Sequence, residues 1–229
     1  MKIHADMAER ASERIDDLPW RPSPDGSVER RMLDRDGHEI ATATTVVRYP
    51  KGSRFPRHVH GGGEEFLVLE GIFSDEHGDY PGGTYVRNPP GSSHAPFSDG
   101  GCIIFVKLQQ FEENDSKQFA VDTRDQQWTD GPHPGWSHQL LHRHCSEEVM
   151  LVNIEMGSPA VEIQWQRGAE FLILDGEIED EQGRYSSNTW LRLPAGSRQR
   201  LAASGVWSFR IFLGLSTVVG CLARRSRSA

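Results

Sequence analysis

Residues 52–92 read GSRFPRHVHGGGEEFLVLEGIFSDEHGDYPGGTYVRNPPGS, and residues 157–197 read GSPAVEIQWQRGAEFLILDGEIEDEQGRYSSNTWLRLPAGS. The two stretches align without a gap at a constant offset of 105, and 17 of their 41 positions are identical, too many for unrelated β segments. The match runs outward on both sides. Upstream, at an offset of 108, Trp20 meets Trp128, Pro24 meets Pro132, and Leu33-Asp34-Arg35 meets Leu141-His142-Arg143. Downstream, Ile104, Val106 and Leu108 meet Phe209, Ile211 and Leu213. Self-similarity on this scale means one folding unit built twice, and 229 residues suffice for two cores.

The unit is a β structure. Short runs rich in Val, Ile, Phe, Tyr and Thr occupy 42–49, 65–69, 84–87 and 102–108. Between them lie turn clusters such as Tyr49-Pro50-Lys51-Gly52, Gly61-Gly62-Gly63, Asp75-Glu76-His77-Gly78-Asp79 and Pro89-Pro90-Gly91-Ser92. This pattern predicts an all-β chain of two tandem jelly-roll barrels, over 20–111 and 128–215, joined by the polar linker 112–127. An N-terminal arm covers 1–19 and a C-terminal tail covers 216–229. Within the arm, residues 6–17 have helix-compatible composition but are short and polar, so a brief helix or a loose arm is expected there.

Composition narrows the partners. With 33 Asp+Glu against 25 Lys+Arg, the net charge of -8 repels phosphate backbones and anionic lipid surfaces, so neither nucleic acid nor membrane is an expected partner. The one basic stretch, 223–229, reads as a frayed terminus. Cys102, Cys145 and Cys221 are odd in number and lack C-x-x-C spacing, which fits a reducing compartment. There is no apolar signal region at the N-terminus and no long apolar run, so a cytoplasmic location is expected.

Comparing the repeats separates shared folding positions from chemistry held in only one. In the first, Gly52-x5-His58-x-His60-x3-Glu64-x6-Gly71 puts two imidazoles at i and i+2 on one strand face and a carboxylate after a glycine turn. Gly83-x5-Pro89-x-Gly91-x2-His94 then starts a neighbouring strand with a third imidazole. Three imidazoles and one carboxylate suit one divalent metal ion per chain, zinc or iron first, manganese or nickel as alternatives, with coordination positions left open. At the same places the second repeat has Ile163, Trp165, Ala169 and Gln199, which hold no ion, so its interior is expected to be a packed core or an apolar pocket. Glu65 recurs as Glu170 and Arg87 as Arg192, which predicts a structural ion pair in each barrel. Asp75-Glu76-x-Gly78 recurs as Asp180-Glu181-x-Gly183 and reads as turn chemistry. His133, His138, His142, His144 and Cys145 have no standard metal spacing, and His142 is expected in a loop or outer strand.

His58-x-His60-x3-Glu64 followed by Pro89-x-Gly91-x2-His94 resembles the two conserved cupin motifs, with Ser98 where many cupins carry Asn. More narrowly, Arg48-Tyr49, Gly52-Ser53, the run from His58 to Gly71, the turn from Asp75 to Tyr80 and Arg87-Asn88-Pro89-Pro90-Gly91-Ser92-Ser93-His94 look like the ChrR-like cupin family. That family includes the zinc-binding C-terminal domain of ChrR-type anti-sigma factors. The resemblance implies a bicupin, two tandem double-stranded β-helix barrels, with His58, His60, Glu64 and His94 as metal ligands. Fewer than 20 residues precede Trp20 and the first cysteine is Cys102, so the separate sigma-binding zinc domain of ChrR is not expected here.

Two functions follow from the resemblance. One is a metal-dependent, dioxygenase-like enzyme acting on a small organic molecule in the first barrel, since related cupins cleave carbon–carbon bonds in diketones and hydroxyacetophenones. The alternative is a metal-binding sensor or regulatory module that docks a regulatory protein partner on the second barrel. In either case the first barrel is expected to hold the chemistry and the second to stabilise, so removing the metal should loosen the first barrel alone.

Overall fold

A computed structural model describes residues 1–38, 40–203 and 209–215, the last for its backbone alone. The basic tail and Cys221 lie outside the described residues. Among those residues the chain is almost entirely β, with two single-turn 3-10 segments, Ile15–Asp17 and Thr123–Asp125. No helix in them is long and apolar enough to cross a membrane.

The expected two jelly rolls are present, and their large sheets have the same strand order. In the first, Glu29–Gly37, Ala41–Tyr49, Cys102–Leu108, Glu64–Asp75 and Thr84–Asn88 lie side by side, all antiparallel. In the second, Trp136–His144, Glu147–Ile154, Phe209–Leu215, Ala169–Asp175 and Thr189–Leu193 repeat that order. A smaller sheet closes each barrel: Val161–Trp165, Ser197–Ala203, Glu177–Asp180 and Gly183–Ser186 form it in the second.

Each barrel is completed by a strand from the segment that precedes the other barrel. Ala11–Arg14 pairs with Thr189–Leu193 of the second barrel, setting Ala11 opposite Arg192. Phe119–Asp122 pairs with Thr84–Asn88 of the first, setting Thr84 opposite Asp122. The stretch expected to be a brief helix or loose arm is therefore a strand followed by one 3-10 turn. Its residues had too little apolar pattern to show this, because a two-faced sheet edge in the other barrel supplies the pairing.

Alternation along each strand feeds two cores. In Glu64–Asp75, Phe66, Val68 and Phe73 enter the first barrel, whereas Leu67 and Leu69 face outward. Those outward residues are not solvated: Leu67, Tyr85 and Phe105 form one cluster with Val149, Leu172 and Trp190 of the second barrel. The large sheets thus stack on each other, and the run 65–69 lacks polar alternation because both its faces are buried.

Charges are buried in the same interface. The Glu65–Arg87 pair forms at 2.6 Å, and Arg87 also meets Asp115 at 2.6 Å and Glu147 at 3.5 Å. The expected twin in the second barrel does not form. Glu170 instead pairs with Lys107 of the first barrel at 2.7 Å and accepts from Trp190 Nε1 at 2.6 Å, while Arg192 pairs with Asp34. The cause is local: the first repeat supplies Lys107 and Asp34, and the second carries Phe212 and His142 at those places. A shared core, exchanged strands and cross-barrel ion pairs join the two barrels.

Candidate metal centre

His58–Val59 runs antiparallel to Ser93–His94, with His58 opposite His94. Val59 is 67% exposed, so strand alternation turns the flanking histidines inward. The His60 amide donates to Ser92 O at 2.9 Å, fixing the chain as it leaves the strand. Gly63 then takes φ +83°, and a Cβ there would stand 2.3 Å from Phe111 Cδ2, so glycine alone fits before Glu64 opens its long strand.

These elements bring the four expected residues together. One donor atom from each of His58, His60, Glu64 and His94 lies within 4.8 Å of the others. His58 Nε2 and His60 Nε2 are 3.2 Å apart, and Glu64 Oε1 lies 3.6 Å from His60 Nε2 and 3.5 Å from His94 Nε2. The opposite edge of each ring is tied down. Pro56 O accepts from His58 Nδ1 at 3.0 Å. Ser92 Oγ donates its own proton to Pro89 O at 2.6 Å, and so accepts from His60 Nδ1 at 2.9 Å. Asp75 Oδ2 accepts from His94 Nδ1 at 3.1 Å. Each ring therefore carries its proton on Nδ1 and presents an Nε2 lone pair to the centre. Three lone pairs and a carboxylate aimed at one point repel unless a cation lies among them, so the set fits a metal ion.

Titration behaviour follows the surroundings. Burial lowers the His60 pKa, against the nearby Glu64 charge, and favours the neutral form that ligates. For His94 burial also acts downward, but the Asp75 hydrogen bond and the Glu64 charge outweigh it and the pKa rises.

Sequence comparison missed Asp75 as a positioning residue. It does build the turn, accepting from the His77 amide at 2.8 Å, but its second oxygen orients His94. Its counterpart Asp180 accepts from Gln199 Nε2 at 2.7 Å, and Gln199 Oε1 accepts from Trp165 Nε1 at 3.1 Å. The second barrel thus replaces the ligand set by a closed hydrogen-bond chain beside an apolar core that includes Trp165, Phe171 and Leu201. Of the two expected places for His142, a loop or an outer strand, the structure shows the outer strand. His142 lies buried on Trp136–His144, with Nε2 2.7 Å from Asp115 Oδ2, inside the interface charge network. Asp115, His142 and Glu147 come close enough to share an ion, as do Glu112, His144 and Cys145, but Asp115 Oδ2 is already committed to Arg87.

Beside the ligands a cavity of about 300 Å³ opens into the first barrel. His58, His60 and Glu64 form one side, and Val28, Val47, Tyr49, Phe55, Ile104 and Val106 supply apolar walls.

The sequence profile described as ChrR Cupin-like domain matches the chain twice, over residues 8–112 and 116–217. The chain belongs to the ChrR cupin-like family. Anti-sigma-E factor ChrR of Cereibacter sphaeroides is 31% identical over 104 residues, a match that takes in 44% of this cupin and 47% of that relative. Among solved structures, a Nostoc punctiforme protein, provisionally described as a dioxygenase, superposes with a TM-score of 0.74 at 16% identity, covering 94% of this cupin and 85% of that chain. Oxalate decarboxylase of Lactobacillus farciminis, in its formate complex, gives 0.67 at 10% identity over 92% and 87% of the two chains. At these identities the structural likeness establishes the cupin fold.

Proposed function

We propose that the first barrel holds one divalent metal ion through His58, His60, Glu64 and His94, and that this cupin is a metal-dependent, dioxygenase-like enzyme acting on a small organic molecule. The observation that carries the reading is the apolar cavity against which the ligand edges of His58, His60 and Glu64 open. When bound, the ion supplies a Lewis acid and, as iron, a redox centre. The chain's own part is orientation and exclusion of water. Asp75, Ser92 and the Pro56 carbonyl hold the three imidazoles in the ligating tautomer, and Val, Ile and aromatic side chains supply apolar walls beside them. Cys102, which forms no disulfide, fits a cytoplasmic setting.

Iron-loaded protein given diketones and aryl ketones is expected to consume dioxygen, and a Glu64→Gln variant is expected not to. No uptake on the panel with a fully loaded site argues against the dioxygenase reading. A second reading, a metal-binding regulatory module with a protein partner, has one specific support, the 31% identity to anti-sigma-E factor ChrR. Co-purification with a sigma factor in a metal-dependent manner is the result that favours it.

A further inference from the structure

Arg30 is a cation set in the wall of the first barrel's cavity, with no hydrogen-bond or ion-pair partner among the described residues. It lies on Glu29–Gly37 directly across from Val47, which in turn pairs with Ile104, and both belong to the barrel's interior core. The Arg30 side chain therefore shares the inward face, and it lines the same cavity as His58, His60 and Glu64. Its Nε is buried and without a hydrogen-bond partner. Arg31 Nε shares that state, but the neighbouring arginines differ in that their terminal nitrogens have partners. Arg31 meets Asp16 at 3.3 Å and Arg48 meets Glu29 at 2.6 Å, each also stacking on Trp20, and Arg35 donates to the His38 carbonyl.

Burying part of a guanidinium without a counter-charge costs free energy, so a cavity that keeps one is matched to an anion. Among the described residues Glu64 is the one acidic residue in the lining, and it is turned to the imidazoles. An ion held by those ligands would more than offset Glu64 and leave the wall net positive. The second repeat, which lacks the ligands, also lacks the arginine: His138 stands there, in the same register against Val152.

We propose that the first-barrel cavity binds a small organic carboxylate with an apolar body, its carboxylate forked by the Arg30 guanidinium and its body held by Val28, Val47, Phe55 and Ile104. The planar fork of arginine matches a carboxylate with two parallel hydrogen bonds, which selects it over neutral isosteres. A cavity of about 300 Å³ accommodates a body the size of a phenyl or branched alkyl group.

This inference names a ligand class for the site proposed above, and its test is binding, so the two readings fail separately. Zinc-loaded and metal-free full-length protein are titrated calorimetrically with phenylacetate, benzoate and isovalerate, each against its neutral amide. At least one acid is expected to bind tenfold or more tighter than its amide, and Arg30→Gln and Arg30→Met are each expected to erase that preference while leaving zinc content unchanged. Acid and amide binding alike, no acid binding at all, or a preference that survives both substitutions would overturn the assignment. So would a fall in thermal stability of the ligand-free variants, because it would show that Arg30 is tied into the fold. Carboxylate binding without dioxygen uptake on any substrate would keep this inference and remove the dioxygenase reading, and dioxygen uptake on neutral ketones without carboxylate binding would do the reverse.

Discussion

At equivalent places on one frame, the first barrel sets His60 and His94 around a common point, and the second sets Trp165 and Gln199. Beneath both stands an aspartate: Asp75 under His94, Asp180 under Gln199. In the first barrel that support leaves donor atoms unpaired at the centre, ready for an ion. In the second it closes a chain from indole to amide to carboxylate, with no donor left over. The difference teaches that a residue kept in both repeats can still serve the site, since Asp75 positions a ligand and Asp180 positions its replacement. The two barrels differ in their fillings but share one interface, so the comparison can be broken at either level.

The largest effects are expected at the interface. Glu170→Gln leaves the buried Lys107 without its ion-pair partner and should cost about 3–5 kcal/mol in urea unfolding, and Glu65→Gln, after which Arg87 still meets Asp115, should cost less. Unfolding should stay a single transition, and hydrogen exchange after chelation should lose protection in both barrels. Two separate transitions would restore the picture of independent halves.

At the ligand level, Glu64→Gln should weaken metal binding beyond the roughly 10–100-fold typical for loss of an outer-shell partner, because it removes the anionic ligand itself. Competition against a chromophoric chelator measures this, and Glu65→Gln should leave the affinity nearly unchanged. Equal losses would mean that the carboxylates are exchanged in role.

Glu147 gives the interface a pH dependence. Burial, and the charge of Glu65 beside it, raise its pKa to about 8 from 4.5. The folded state thus holds the proton more tightly than the unfolded chain, so this group's contribution to stability is full below pH 4.5 and is lost as the pH rises through about 8. Glu147→Gln should flatten that loss and melt higher than the wild type at alkaline pH. An unchanged slope of melting temperature against pH would place the titration elsewhere.

The smallest effect sharpens the comparison most directly. Asp75→Asn should lower metal affinity by about tenfold, as expected when a carboxylate behind a ligating imidazole is neutralised, whereas Asp180→Asn should not alter it. Loss of affinity in both variants would show that the second barrel's aspartate acts on the first barrel's site.

The sequence by itself determined the fold class, the duplication and the clustering of His58, His60, Glu64 and His94. These are legible because they depend on spacing within short segments: alternation fixes which side chains share a face, and glycine turns fix where strands reverse. Tertiary closure decided the rest. Which strand completes which barrel is set by a sheet edge that only the folded chain brings near, Arg192 for Ala11 and Thr84 for Asp122. Whether Arg87 or Lys107 partners a glutamate depends on which charges the stacked sheets bring into register, and desolvation then makes that choice binding. Nothing in the sequence marks out Arg30, and only the closing of the barrel placed its half-buried guanidinium in the cavity that the metal ligands line.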